Sequence, residues 1–211
     1  YGLGINLMWQ RILRATPVLG IFSVFYTFPR KKYLYYFPLF IPEKLLNKEK
    51  EHVKGFSPEV AWVETAGDTK LSERLAVRPT SETIMYPSYS KWIRSWRDLP
   101  LRYNQWNNVV RWEFKHPVPF FRTREFLWNE LHTCLASEKD ALKEGDMVLD
   151  AYNDVTENLM ALYGVRGLKT ESEKFAGAVF SEKIHYIMQN GKCLEGCPFH
   201  FDGQNFAKAY D

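Results

Sequence analysis

This sequence predicts an α+β fold built on an antiparallel sheet, and three observations predict it. Short runs rich in Tyr, Phe, Val, Ile and Thr recur between turn residues, at 33–41, 60–65, 101–106 and 109–114. Helical periodicity interrupts them irregularly, which disfavours a wound parallel sheet, where helix and strand alternate. Asn190-Gly191, set between strand-like runs 182–189 and 192–199, is the strongest short hairpin signal in the chain.

Taken in order, residues 33–41 (YLYYFPLFI) read as an aromatic strand, and Pro38 gives it an edge or interface position because proline has no N–H to donate. Pro42 opens a helix of strong formers over 43–53, with Gly55 past its end. Runs 60–65 and 75–77 are strands around an Ala66-Gly67-Asp68 turn. Thr80 is the expected N-cap of a helix that runs to about Trp96 and bends at Pro87. Strands 101–106 and 109–114 follow, the second leading into Arg111-Trp112-Glu113, a loop, and Arg122-Thr123-Arg124-Glu125-Phe126-Leu127-Trp128. Residues 137–162 place Ala141, Val148, Leu149, Tyr152, Val155, Leu159 and Leu162 at helical spacing, with Lys and Glu on the solvated faces.

A chain of 211 residues can bury one substantial core. Its 45% hydrophobic and 25% charged residues are ordinary for a globular domain, whereas 16% aromatics is high and suits either flat ligands or an aromatic core. A net charge of +3 permits a polyanionic partner but is too mild to identify a nucleic-acid binder. Three cysteines form no disulfide framework, which fits a reducing, cytoplasmic compartment. Cys193, Cys197 and His200 have metal-like spacing, but a zinc site would need a distant fourth ligand such as Cys134 or His185, so no metal is assigned. Residues 15–29 carry no charge, yet Pro17 and Gly20 break a run already too short to span a membrane. Residues 1–32 are set apart as an atypical apolar segment. The start at Tyr1 and the stop at Asp211 after a motif-like run lead us to expect a fragment.

Chemistry gathers in four clusters: Arg78-Pro79-Thr80-Ser81-Glu82, Arg111-Trp112-Glu113, 122–128, and 200–206. The first sets a carboxylate and two hydroxyls at a helix start with free N–H groups, a good seat for a small zwitterion, although plain capping explains Thr80 and Ser81 as well. The second and third combine guanidinium groups for phosphate, a carboxylate for an exocyclic amine and rings for stacking. The competing reading is a solvated hairpin with cross-strand ion pairs.

RPTSETIMYPSYSKWI, NQWNNVVRWEFKHPVPFFRTREFLW and EKFAGA, with VAWVETAG and GQNFAK, resemble the catalytic domain of prolyl-tRNA synthetases of the eukaryotic and archaeal-like type. The resemblance runs from about Tyr33 to Asp211. It implies a class II aminoacyl-tRNA synthetase fold, an antiparallel sheet flanked by helices, as a partial catalytic domain over 33–211. It further implies a homodimer that activates L-proline with ATP and Mg²⁺ and transfers it to tRNA(Pro).

By position, the resemblance implies that Thr80 and Glu82 hold the proline nitrogen. Arg111 is the catalytic residue, bridging the α-phosphate and the proline carboxylate, and Glu113 reads the adenine amino group. Arg122 and Thr123 bind ATP, Phe126 stacks on the base, and Trp128 and His200 wall the proline pocket. Bacterial-type members carry an editing insertion before the Phe175-Ala176-Gly177 run; none intervenes here, so editing is expected from another protein.

Three departures qualify these expectations. Glu195 and Pro198 stand where the family has a Gln and a Thr that contact ATP, so Glu195 is expected to bring a negative charge near the triphosphate. In the same stretch Asp202 replaces an apolar residue. Residues before about Tyr33 do not resemble the helix that leads into the family's first, dimer-forming motif, although Pro38 matches that motif's strand. The third class II motif, whose Arg would bind the γ-phosphate end of ATP, is not within these 211 residues. The alternative expectation is therefore a truncated, inactive relative that serves as a binding or dimerisation module.

Overall fold

Ten successive pairings, from Leu101 opposite Cys134 to Val110 opposite Glu125, make the longest ladder among the described residues. The computed structural model describes residues 33–52, 59–112, 115–117 and 123–210. Within these the elements run β1 (Tyr33–Leu34), β2 (Phe40–Pro42), α1 (Glu43–His52), β3 (Trp62–Ala66), β4 (Thr69–Val77), α2 (Glu82–Trp92), β5 (Leu101–Val110), β6 (Glu125–Cys134), α3 (Glu138–Asp154), β7 (Gly164–Leu168), β8 (Phe180–Ile187), β9 (Cys193–Phe201) and α4 (Asn205–Tyr210).

The strands form three sheets, ordered β1-β5-β6, β2-β4-β3 and β7-β8-β9. Every pairing is antiparallel except β1 with β5, where Tyr33 lies beside Tyr103. The predicted α+β class therefore holds. Three cores tie the sheets to the helices. Ile41, Ala76, Phe206 and Tyr210 bring β2 and β4 to α4. Phe37, Met85, Tyr89 and Tyr103 pack α2 on β5. Leu149, Ile184, Tyr186 and Cys197 pack α3 on one face of β8 and β9.

That last contact is close. A Cβ added at Gly145 would sit 2.4 Å from the Phe199 ring, so a helix-weakening glycine is needed where α3 meets β9. Ser137 caps α3 by accepting from the Asp140 N–H at 3.2 Å, and Arg102 on β5 grips Glu144 through two bonds of 2.6 Å. The predicted hairpin forms with Gly191 at a φ of +75°, and the Asn190 side chain accepts from the Lys192 N–H at 3.0 Å.

Four expectations need correction. The aromatic strand 33–41 is broken into β1 and β2, which join different sheets, because the Phe37 and Pro38 carbonyls turn to the Arg78 guanidinium instead of to a ladder. Strands 101–106 and 109–114 are one strand ending at Val110, so Arg111 and Trp112 are not in a ladder. α2 stops at Trp92, and Trp96 falls in a separate 3-10 turn closed by a Ser95–Asp98 capping box. The helix expected over 137–162 is α-helical to Asp154 and widens into a π turn over Val155–Leu159. The segment 1–32 lies outside the described residues.

Candidate active site

The site is anchored by Arg78, whose side chain is fully buried without a carboxylate partner among the described residues. It donates to the Phe37 carbonyl at 2.7 Å, the Pro38 carbonyl at 3.2 Å and the Asn108 carbonyl at 2.9 and 3.2 Å. A planar guanidinium can satisfy such a set at once; a lysine could not. The clamp fixes the Arg78-to-Glu82 segment between β2 and β5, and the Arg78 carbonyl in turn accepts from the Val110 N–H at 2.9 Å.

Beyond Pro79 the start of α2 is lined by Thr80, Ser81 and Glu82, all buried. Thr80 was expected to cap the helix. Instead Ser81 holds the cap position without a side-chain cap bond, because its hydroxyl donates to Glu130. The Thr80 hydroxyl donates to the Glu82 carboxylate, so the two residues expected to hold an amino-acid nitrogen are brought together.

Sequence reasoning missed the group behind them. The Glu130 carboxylate accepts from Ser81, from Gln105 Nε2 at 2.6 Å, from Asn107 Nδ2 at 2.7 Å and from His132 Nε2 at 2.9 Å. Burial opposes its charge, but these bonds, led by that of His132, hold its pKa below the usual carboxylate value. Burial likewise opposes a charged His132, yet Glu130 raises its pKa to about 8, and Tyr86 bonds its Nδ1 at 3.0 Å. The signal was present: Gln105 and Asn107 on β5, and Glu130 and His132 on β6, are polar residues at period two, and they share one face over α2.

Arg111 joins this helix start to the hairpin. Its Nε donates to the Pro79 carbonyl at 2.9 Å, and its guanidinium lies 5.5 Å from the ring centres of both Phe126 and Trp128. Those rings meet edge to face at 5.8 Å, as the shared strand face requires. Arg124 covers the Trp112 ring at 4.2 Å. Thr123 donates to the Glu125 carbonyl at the foot of β6. Glu113 and Arg122 lie outside the described residues.

The third sheet supplies His200. The face of β8 and β9 opposite α3 carries Ser181, Lys183, Glu195 and His200. Lys169, whose N–H donates to the Ser181 carbonyl at 2.8 Å, adds a second ammonium to Glu195 at 3.4 Å. Lys183 forms the tighter pair with Glu195, so the negative charge expected at this position is paired with two ammonium groups, one buried and one half-buried. Pro198 sits opposite Lys183 and is exposed. Cys197 faces α3 with the core while His200 bonds Ser181 on the opposite face, so the two do not converge on one ion. Asp202, two residues beyond His200, is raised to about pKa 7 by burial first and then by the charge of Glu82; its Oδ1 is buried without a hydrogen-bond partner. A chain of rings, His200–Phe175–Phe206–Tyr86–His132, connects this sheet to the Glu130 network.

Antiparallel ladders backed by helices, with an arginine-and-aromatic hairpin beside a polar helix start, are the core of a class II tRNA synthetase. Residues 62–211 match the tRNA synthetase class II core domain family (G, H, P, S and T), and the chain belongs to that family. Its likeness lies in the prolyl branch. It is 56% identical over 176 residues, 83% of this chain and 36% of the relative, to the proline–tRNA ligase of Natranaerobius thermophilus. It superposes on prolyl-tRNA synthetase of Cryptosporidium parvum complexed with halofuginone and AMPPNP, with a TM-score of 0.83 and 44% identity, covering 97% of this chain and 39% of that one. The same enzyme complexed with L-proline and AMP gives 0.79 and 40% identity, covering 97% and 40%. The chain spans 36% or less of the curated relatives matched at this level.

Proposed function

We propose that this chain is the amino-acid- and ATP-binding part of a proline–tRNA ligase, with the core domain beginning near Tyr33. The observation that carries the reading is the Arg111–Pro79 bond, which sets a guanidinium between the Thr80–Glu82 pair and the Phe126–Trp128 rings. In this reading the Glu82 carboxylate and Thr80 hydroxyl take the proline NH₂⁺ group. Arg111 pairs with the proline carboxylate and the α-phosphate. Glu113, Arg122 and Thr123 hold ATP, Phe126 stacks on adenine, and Trp128 and His200 wall the proline ring.

A proline carboxylate oxygen then attacks the α-phosphorus in line, the bond to the bridging oxygen breaks and pyrophosphate leaves. Catalysis of this kind rests on positioning and charge stabilisation, which a fixed guanidinium supplies. Next, the terminal adenosine hydroxyl of tRNA(Pro) attacks the prolyl carbonyl and AMP departs. Mg²⁺ belongs to the same reading and would accompany the ATP phosphates, where it offsets their charge. No helix among the described residues is long and apolar enough to cross a membrane. Cytoplasmic location and pairing of two copies belong to the same reading, in which exposed Tyr36 and Phe40, flanking Pro38, are apolar groups that pairing would cover.

The test is charging of tRNA(Pro) with labelled proline by the complete gene product. Charging that requires proline and ATP is expected. A full-length protein that folds but charges nothing would replace this reading with that of an inactive binding module.

A further inference from the structure

We propose that Ser181 is a positioning residue that holds His200 as a neutral imidazole protonated on Nε2, so that His200 offers the amino-acid substrate one hydrogen-bond donor and no lone pair. The substrate clause rests on the reading that His200 walls the amino-acid pocket; the tautomer does not.

The β8–β9 register sets Ser181 directly opposite His200, so their side chains share a face. Ser181 is fully buried. Its Oγ lies 3.0 Å from the Phe175 N–H and 2.7 Å from His200 Nδ1. A backbone amide can only donate, so Oγ accepts from Phe175. The hydroxyl has one hydrogen, and Nδ1 is its other partner among the described residues. A proton on Nδ1 would leave that hydrogen buried without an acceptor, at a cost of one unmade bond. The hydroxyl therefore donates to Nδ1, and the ring proton sits on Nε2.

The charged form would place a proton on Nδ1 as well, and its surroundings oppose it. Burial acts first, then Lys169; Lys183 and His132 add to this, against Glu195 alone, and bring the His200 pKa down to about 4. The Phe175 ring, 4.7 Å away, fixes the imidazole plane. Nε2 has no acceptor among the described residues, so its donor is left for a ligand. The chemistry that fits is an oxygen: the carboxylate of the free amino acid or the carbonyl of its adenylate. A histidine held this way cannot take the tRNA hydroxyl proton during transfer.

The tautomer is read directly by two-dimensional NMR on the full chain labelled with ¹⁵N-histidine at neutral pH. We expect Nδ1 of His200 in the unprotonated range and Nε2 in the protonated range; the reverse pattern, or two protonated nitrogens, overturns the proposal. Ser181→Ala should give a mixture of tautomers and Ser181→Thr should preserve the single one. An unchanged single tautomer in Ser181→Ala would remove Ser181 from the role. In the complete enzyme, Ser181→Ala should raise KM for proline about two- to fivefold with kcat little changed, since only the donor tautomer binds. A shifted tautomer with unchanged KM would overturn the substrate clause and take His200 out of the pocket.

Discussion

His132 Nε2 and the Glu130 carboxylate lie 2.9 Å apart in the interior, directly behind the helix start that presents Thr80 and Glu82. The His132 pKa, raised to about 8 from its ordinary 6.5, means that the folded state holds this proton more tightly than the unfolded one. Its stabilisation is therefore complete below about pH 6.5 and is lost as the pH rises through about 8. Glu130, lowered in the fold, contributes above the ordinary carboxylate value and loses its contribution as the pH falls below that range. Denaturant midpoints between pH 6 and 9 should fall for the native protein, and His132→Gln should flatten that slope.

Removing the acceptor should cost more than removing the proton. Glu130→Ala would strand Gln105, Asn107, Ser81 and His132 together, and a loss of about 3–5 kcal/mol is expected in urea unfolding. Glu130→Gln keeps one acceptor oxygen and should cost less. Because Ser81 is bonded to Glu130 and sits between Thr80 and Glu82, the Gln variant should also raise KM for proline in the complete enzyme.

Asp202 makes the opposite prediction. Its pKa, raised to about 7, gives a contribution that is full below the ordinary Asp value near 3.8 and gone once the pH passes about 7, where the carboxylate is left charged with its buried Oδ1 unbonded. Asp202→Asn should therefore be more stable than the native protein at pH 8, by about 1–3 kcal/mol, and show no such gain at pH 4. Thermal melts at the two pH values decide it.

Arg78 should not tolerate lysine. One ammonium cannot reach the Phe37, Pro38 and Asn108 carbonyls together, so Arg78→Lys leaves buried acceptors unpaired and should cost about 2–3 kcal/mol in denaturant unfolding. A variant as stable as the native protein would show that the clamp is unimportant.

What the sequence made legible was what short-range pattern encodes. The Asn190-Gly191 hairpin and the Phe126–Trp128 face follow from turn chemistry and period two, and they formed as expected. The resemblance brought Thr80, Glu82, Arg111 and Trp128 to the same region before any contact was known. Long-range pairing was not legible. Arg78 reaches back 41 residues to Phe37, which breaks the aromatic strand; Ser81 reaches 49 residues to Glu130, which takes its hydroxyl from the cap. The compensation of Glu195 needed Lys169 and Lys183 from two other places in the chain, which no local pattern could connect.

The central claim is that Arg111, held by Pro79, stabilises charge at the α-phosphorus during proline activation. The most direct test is proline-dependent exchange of labelled pyrophosphate into ATP, measured on the complete gene product and its Arg111→Ala variant. The account predicts exchange that depends on proline and falls by about 100-fold or more in the variant. Undiminished exchange in Arg111→Ala, or exchange indifferent to proline in the native enzyme, would contradict it.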